Sequence, residues 1–236
     1  MHILIVGASG HVGTLLAETL SASHHVSGLL RREPEETVAH APIVVPDWVD
    51  HPEKVAEALR GQNSGHGPVD AVIAALGGWY VDGPMLERGL QSFDSDWESH
   101  LRAHFAACQV STALAGARGQ DSTGSPAGGG SPGRGPAAGR LTHLALNGVA
   151  SIEACVGSGA ISVFGAAQEM LIRVAAAESE AVNFRELKIL APVAGDDRND
   201  LTGGVETVSI CAVAAAVVRI LAHPTAEQTV TSIHAF

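Results

Sequence analysis

Residues Gly7-Ala-Ser-Gly10-His-Val-Gly13 follow directly on the apolar run Ile3-Leu4-Ile5-Val6 and lead into an amphipathic stretch. A strand that breaks into three glycines at this spacing and then enters a helix can hold a pyrophosphate. Gly7 permits the tight turn, Gly10 lets the backbone approach the ligand, and Gly13 lets the helix pack closely on the strand. Ser9, His11 and Val12 occupy the intervening positions, and the free N–H groups that open the helix would face the ligand's negative charge. Glycine makes up 27 of 236 residues, so the spacing alone is a weak signal. Its place between a first strand and a first helix makes it a nucleotide-site candidate.

Other residues offer acid–base or hydrogen-bonding chemistry. His104 is a candidate acid or base, because an imidazole titrates near neutral pH. His100 lies four residues before it, a spacing that two metal ligands can share on a helix. With no third ligand evident among 12 histidines, no metal is expected. Asn147 ends a strand-like run and could bond a substrate oxygen or simply shape a turn. Trp79, Tyr80 and Met85 follow Leu76-Gly77-Gly78 and could line a pocket or pack a loop. Ser158 and Ser162 have no evident base, and Cys155 has no nearby positive charge to lower its pKa.

These groups need a scaffold, and the chain spells one out as alternating strand-like and helix-like segments. Strands are expected at His2–Val6, His25–Leu30, Ile43–Val45, Val69–Leu76, Leu141–Leu146, Phe184–Leu190 and Thr229–Ile233. Helices are expected at Val12–Leu20, Pro52–Leu59 with Asp50 as its cap, Trp97–Ala117, Ala160–Ala177 and Glu206–Leu221. Repeated β-then-α units imply right-handed crossovers and an α/β fold: one Rossmann-type domain with a doubly wound parallel sheet across residues 1–236. In such a sheet the ligand lies beyond the carboxyl ends of the strands. The stretch of about 116–139, centred on Gly128-Gly129-Gly130, is too poor in apolar residues to order itself and is expected to be a flexible loop.

Bulk properties narrow the function. Apolar residues make up 46% and aromatics 4%, as suits parallel strands covered by alanine-rich helices. The net charge of −11 argues against nucleic acid or an anionic membrane surface as partner. No apolar run reaches the roughly 18 residues that span a bilayer. With a strand starting at residue 2, no signal peptide is expected and the cytoplasm is the expected location. Cys108, Cys155 and Cys211 are expected to be buried thiols in a reducing compartment.

Over almost its full length the chain resembles the short-chain dehydrogenase/reductase family. The N-terminal glycine loop matches the family's position, with the spacing of its extended and atypical branches. Asp47, in Val-Val-Pro-Asp47-Trp-Val-Asp, stands where family members place an aspartate against adenine. Ala74-Ala75-Leu76-Gly77 stands where the family has Asn-Asn-Ala-Gly. Phe93-Asp-Ser-Asp-Trp97 resembles a Trp-containing segment that opens the next helix. Leu171-Ile-Arg-Val-Ala-Ala-Ala-Glu178 resembles the stretch after the catalytic tyrosine, and Leu190-Ala-Pro-Val193 the Pro-Gly segment after the sixth strand. The resemblance implies a nicotinamide dinucleotide held by Gly7, Ser9, Gly10, His11, Val12, Gly13, Asp47, Ala75, Leu76 and Gly77. It also implies pairing into a homodimer or homotetramer through the two long alanine-rich helices. The second strand ends in Arg31-Arg32, where an NAD site would carry an acid. Two guanidiniums there favour NADP(H) over NAD(H).

The family's hydride chemistry uses a Tyr-x-x-x-Lys pair, a serine and an asparagine. This chain has one tyrosine, Tyr80, with Pro84 four residues on, so the pair is absent. The resemblance puts Ile161 in the tyrosine slot, Gly165 in the lysine slot, Gly148 in the serine slot beside Asn147, and His104 in the asparagine slot. Isoleucine has no titratable proton and glycine cannot lower a neighbour's pKa. Three readings follow. The first is a dinucleotide-binding sensor or non-catalytic partner. The second is an atypical oxidoreductase, isomerase or lyase acting on an unknown small molecule through His104, Asn147 or substrate groups. The third is a structural subunit without cofactor.

Overall fold

The computed structural model describes residues 1–62, 66–121, 139–196, 204–223 and 229–234. Seven strands, β1 (His2–Val6), β2 (His25–Leu30), β3 (Ala41–Val44), β4 (Ala71–Ala74), β5 (Leu141–Gly148), β6 (Val182–Ile189) and β7 (Val230–Ile233), form one sheet. Every pairing is parallel and the order is β3-β2-β1-β4-β5-β6-β7. The helices are α1 (His11–Ser21), α2 (Glu53–Gly61), α3 (Met85–Trp97), α4 (Ala103–Asp121), α5 (Gly159–Glu178) and α6 (Ile210–Ala222). This is the expected doubly wound Rossmann-type architecture. Its order reverses between β1 and β4, which opens a crevice at their carboxyl ends.

The central strand β1 is buried at every position and apolar from Ile3 to Val6, because both its faces are covered. Ile3 and Ile5 join Leu16 and Leu20 of α1 and Val217 and Ile220 of α6 on one face. Leu4 and Val6 join Val55 of α2, Ala106 and Val110 of α4 and Ile172 of α5 on the other.

Several boundaries differ from expectation for local reasons. Asp50 does not cap α2. Pro52 occupies the cap position, without a side-chain bond, and Asp50 instead pairs with Arg102. A helix precedes the expected start at Trp97: α3 begins at Met85 and is interrupted at Gly89, whose φ is 76°. That glycine breaks the apolar period, which is why the pattern is hard to read there. A single π turn, Glu98–Arg102, then joins α3 to α4. Helix α4 runs to Asp121, so the expected loop of about 116–139 starts later than its composition suggests. Residues 122–138 lie outside the described residues. Helix α6 begins only at Ile210, where the Ser209 hydroxyl accepts from the Ala212 N–H at 3.2 Å.

Two further expectations are corrected. By length and composition α5 could cross a bilayer. Its Ile161, Phe164, Gln168 and Ile172 are nevertheless buried inside the protein, as in the core helix of an α/β domain. Of the three cysteines expected inside, only Cys108 is buried; Cys155 is half-buried and Cys211 exposed.

Candidate functional site

Beyond the carboxyl ends of β1, β4 and β5 lies a cleft of about 520 Å³. Gly10, His11 and Val12 form one wall, and Ala75–Trp79 with His100 form a second. Asn147, Ile161 and Gly165 lie along β5 and α5. The cleft therefore gathers the glycine loop, the turn after β4 and three of the four family slots.

The glycine loop fits a pyrophosphate for steric reasons. Gly7 has φ +90°, and a Cβ on it would fall 2.2 Å from the Ala75 carbonyl oxygen. A Cβ on Gly13 would fall 2.1 Å from the Gly7 oxygen, so α1 can approach β1 only with glycine there. At Gly10 the nearest atom would be 3.4 Å away, which leaves that position open for a ligand. Gly10 caps α1 in an extended conformation with no side-chain bond, so the helix's first N–H groups face outward from a bare end. Ser9 is exposed in the turn between them. The Thr14 hydroxyl steadies the loop by donating to the Ala8 carbonyl at 2.9 Å. His11 lies within 3.2 Å of the Ala194 oxygen and so ties the loop to the segment after β6. This cradle fits a nicotinamide dinucleotide, whose pyrophosphate would rest on the α1 N-terminus.

The carboxyl ends of β2 and β3 carry the remaining expected cofactor residues. Arg31 and Arg32 follow β2 directly and are exposed; neither forms an ion pair among the described residues. Asp47 follows β3, and its carboxylate is engaged by Lys54, whose hydrogen bond holds it below the usual aspartate range.

The reaction end departs from the sequence reading. His104 does not reach the cleft: it is 1% exposed in the core, and burial pushes its pKa down to about 3. The charge of His100 acts in the same direction, against a weaker backbone contact with Leu76. Such an imidazole stays neutral at neutral pH, and its burial keeps it away from any ligand in the cleft. Of the two helix histidines His100 and His104, the one that lines the cleft is His100. Asn147 does line the cleft, but its amide is committed. Its Nδ2 donates to the Gly165 oxygen at 2.9 Å and to Glu186 Oε1 at 2.8 Å, and its Oδ1 accepts from the Gly148 N–H at 2.9 Å. The absence of a side chain on Gly165 makes room for this: a Cβ there would crowd Ser151 at 3.1 Å and Asn147 Oδ1 at 3.3 Å. Gly148 is exposed at the end of β5, and Ile161 is 7% exposed. The positions that the resemblance assigns to tyrosine, lysine and serine are thus an apolar side chain and two glycines.

Beneath this floor lies a buried network that sequence reasoning missed. Glu186 is fully buried; its Oε1 also accepts from Gln168 at 3.3 Å, and its Oε2 has no partner among the described residues. Burial pushes its carboxyl above the usual range. Lys188, two residues on, pairs with Glu169 of α5. A strand reading as Phe-Arg-Glu-Leu-Lys carried a signal, since charges inside a central parallel strand demand buried partners. Of the three pocket candidates after β4, only Trp79 lines the cleft, with its indole N–H donating to Asp196 at 3.3 Å. Tyr80 turns away, its hydroxyl donating to Asp96 at 2.6 Å beneath Arg88, and Met85 packs at Gly159. No group of three metal-ligating side chains occurs among the described residues.

By sequence, no protein-family model and no curated protein matches the chain. Solved structures do resemble it. A short-chain type dehydrogenase/reductase from Mycobacterium ulcerans superposes with a TM-score of 0.74 at 16% identity, over 99% of this chain and 88% of that one. ElxO with NADP bound gives 0.71 at 13% identity, over 99% and 96%. An NADH-dependent reductase, A1-R′, gives 0.73 at 13%, over 99% and 95%. At these identities the likeness is one of fold. The chain has the fold of the short-chain dehydrogenases/reductases.

Proposed function

We propose that this protein binds a nicotinamide dinucleotide and does not carry out Tyr–Lys hydride transfer, so that it serves as a sensor or a non-catalytic partner. The observation that carries the reading is the contrast inside one cleft. Gly7 and Gly13 leave no room for a Cβ beside the phosphate position, while Ile161 and Gly165 supply no proton-transfer group. Gly7, Ser9, Gly10, His11, Val12 and Gly13 would hold the pyrophosphate, and Ala75, Leu76 and Gly77 the nicotinamide-side ribose. Arg31 and Arg32 favour NADP(H) over NAD(H), because two planar cations suit a 2′-phosphate. When bound, the dinucleotide would supply a hydride donor or acceptor; the glycine loop and the turn after β4 would bind and orient it, and Ile161 and Gly165 would exchange no proton.

Self-association belongs to the same reading. Phe105 of α4 and Val163, Met170 and Val174 of α5 are 51%, 44%, 59% and 44% exposed, an apolar face suited to a homodimer or homotetramer. Light scattering on the pure protein tests this, and a monomer at micromolar concentration would refute it.

The deciding experiment follows NADPH and NADH fluorescence against the pure protein, then adds a panel of carbonyl compounds. Tight NADPH binding without oxidation is expected. Turnover of any carbonyl would overturn the non-catalytic reading, and failure to bind either nucleotide would overturn the whole proposal.

A further inference from the structure

The turn Ala75–Gly78 forms a wall of the cleft, and it is gripped from both sides. On its inner side the Ala75 carbonyl lies where a Cβ on Gly7 would be. On its outer side stands His100, in the π turn that joins α3 to α4. His100 Nε2 lies 3.0 Å from the Gly78 carbonyl oxygen. That oxygen can only accept, so the ring donates to it in the tautomer that protonates Nε2. The other ring nitrogen is anchored on its own helix, 3.0 Å from both Ser99 Oγ and the Asp96 oxygen. Gly77 completes the fit: its φ is +85°, and a Cβ on it would fall 2.8 Å from His100 Cδ2. One turn further along, the buried His104 touches the backbone of Leu76.

We infer that His100 is a positioning residue of the cleft, holding the turn Ala75–Gly78 through the Gly78 carbonyl in the place where it meets a bound dinucleotide. This rests on the dinucleotide reading and deepens it. The histidine spacing thereby has an explanation other than metal binding: two residues one turn apart grip two points of one turn. The loop beyond Gly78 has holds of its own. Ser158 donates its hydroxyl to the Tyr80 carbonyl, and the Asp82 N–H donates to the Gly157 oxygen at 2.8 Å. His100 therefore governs Ala75–Gly78 alone, the part of the loop nearest the glycine loop.

The test compares His100→Leu, which keeps bulk without an N–H, with His100→Gln, whose amide nitrogen can take the place of Nε2. In the ligand-free protein, backbone amides of Gly77–Trp79 should exchange hydrogen faster in the Leu variant and near the wild-type rate in the Gln variant. NADPH should bind about tenfold more weakly to the Leu variant, the scale of one lost hydrogen bond, with most of the loss recovered by Gln. Unchanged exchange and affinity in His100→Leu would overturn the inference, and so would equal losses in both variants. If the wild type binds no nicotinamide dinucleotide, the dinucleotide reading falls, and the exchange rates still decide whether His100 holds the turn.

Discussion

The two ends of the cleft are built to different rules. At the glycine loop, space is the limiting resource: Gly7 and Gly13 sit where any side chain would meet backbone at 2.2 and 2.1 Å. Across the cleft, at β5 and α5, the polar groups are present but bonded to one another. Asn147 serves Gly165 and Glu186, and Gln168 serves Glu186. The first end is shaped by backbone that leaves no room for side chains, and the polar groups of the second are closed on one another. On the proposed reading the fold keeps its geometry for binding without the family's groups for reaction, because shape resides in the backbone and proton transfer in a few side chains.

The contrast breaks most completely at Gly13. Gly13→Ala should abolish NADPH binding and cost about 3 kcal/mol of stability, since its Cβ meets backbone that cannot yield. Gly10→Ala is the informative control. Its Cβ meets nothing closer than 3.4 Å, so it should weaken nucleotide binding while leaving the urea midpoint near that of the wild type. Equal destabilisation by both would mean that the loop is a packing device only.

Lowered pH should weaken the folded core. Burial pushes His104 and His143 down to about 3, so below pH 6.5 the unfolded chain takes up protons that the folded chain refuses. Stability is fully present above pH 6.5 and falls as pH drops toward 3, by about 1.4 kcal/mol per pH unit for each histidine. Glu186, raised by burial, acts in the opposite sense above pH 4.5. The histidine share is therefore read from the difference in slope between wild type and His104→Gln in urea melts from pH 7 to 5. Identical slopes would refute it.

A smaller loss is expected at the closed end. Asn147→Ala removes donors from Gly165 and from a buried carboxylate oxygen and should cost about 2 kcal/mol in denaturant melts. An unchanged melt would return Asn147 to the role of a substrate ligand. The smallest effect is expected at the adenosine edge. Replacing Arg31 and Arg32 with alanine should weaken NADPH by about tenfold and leave NADH unaltered, as loss of charge-assisted bonds to one phosphate would. Equal losses for both nucleotides would end the case for NADP(H).

Much of this was legible from local pattern. Ile3–Val6 running into Gly7, Gly10 and Gly13 announced a strand, a turn and a helix, because a parallel strand is apolar on both faces and the glycines serve backbone geometry. Other features were not. Gly89 and the acidic residues around it hid α3, since an interrupted helix has no clean period. His104 read as an acid–base candidate because the spacing of two histidines says nothing about which one a sheet will bury.

What the sequence determined by itself is the order of strands and helices, the nucleotide-type loop and the missing Tyr-x-x-x-Lys pair. These depend on residue type and on neighbours within a turn or a strand. The tertiary structure decided the rest: that His100 and not His104 borders the cleft, that Asn147 answers to Glu186, 39 positions away, and that Gly13 has no room to vary. Those outcomes depend on which distant segments share space, and burial and hydrogen-bond partnership are properties of that packing.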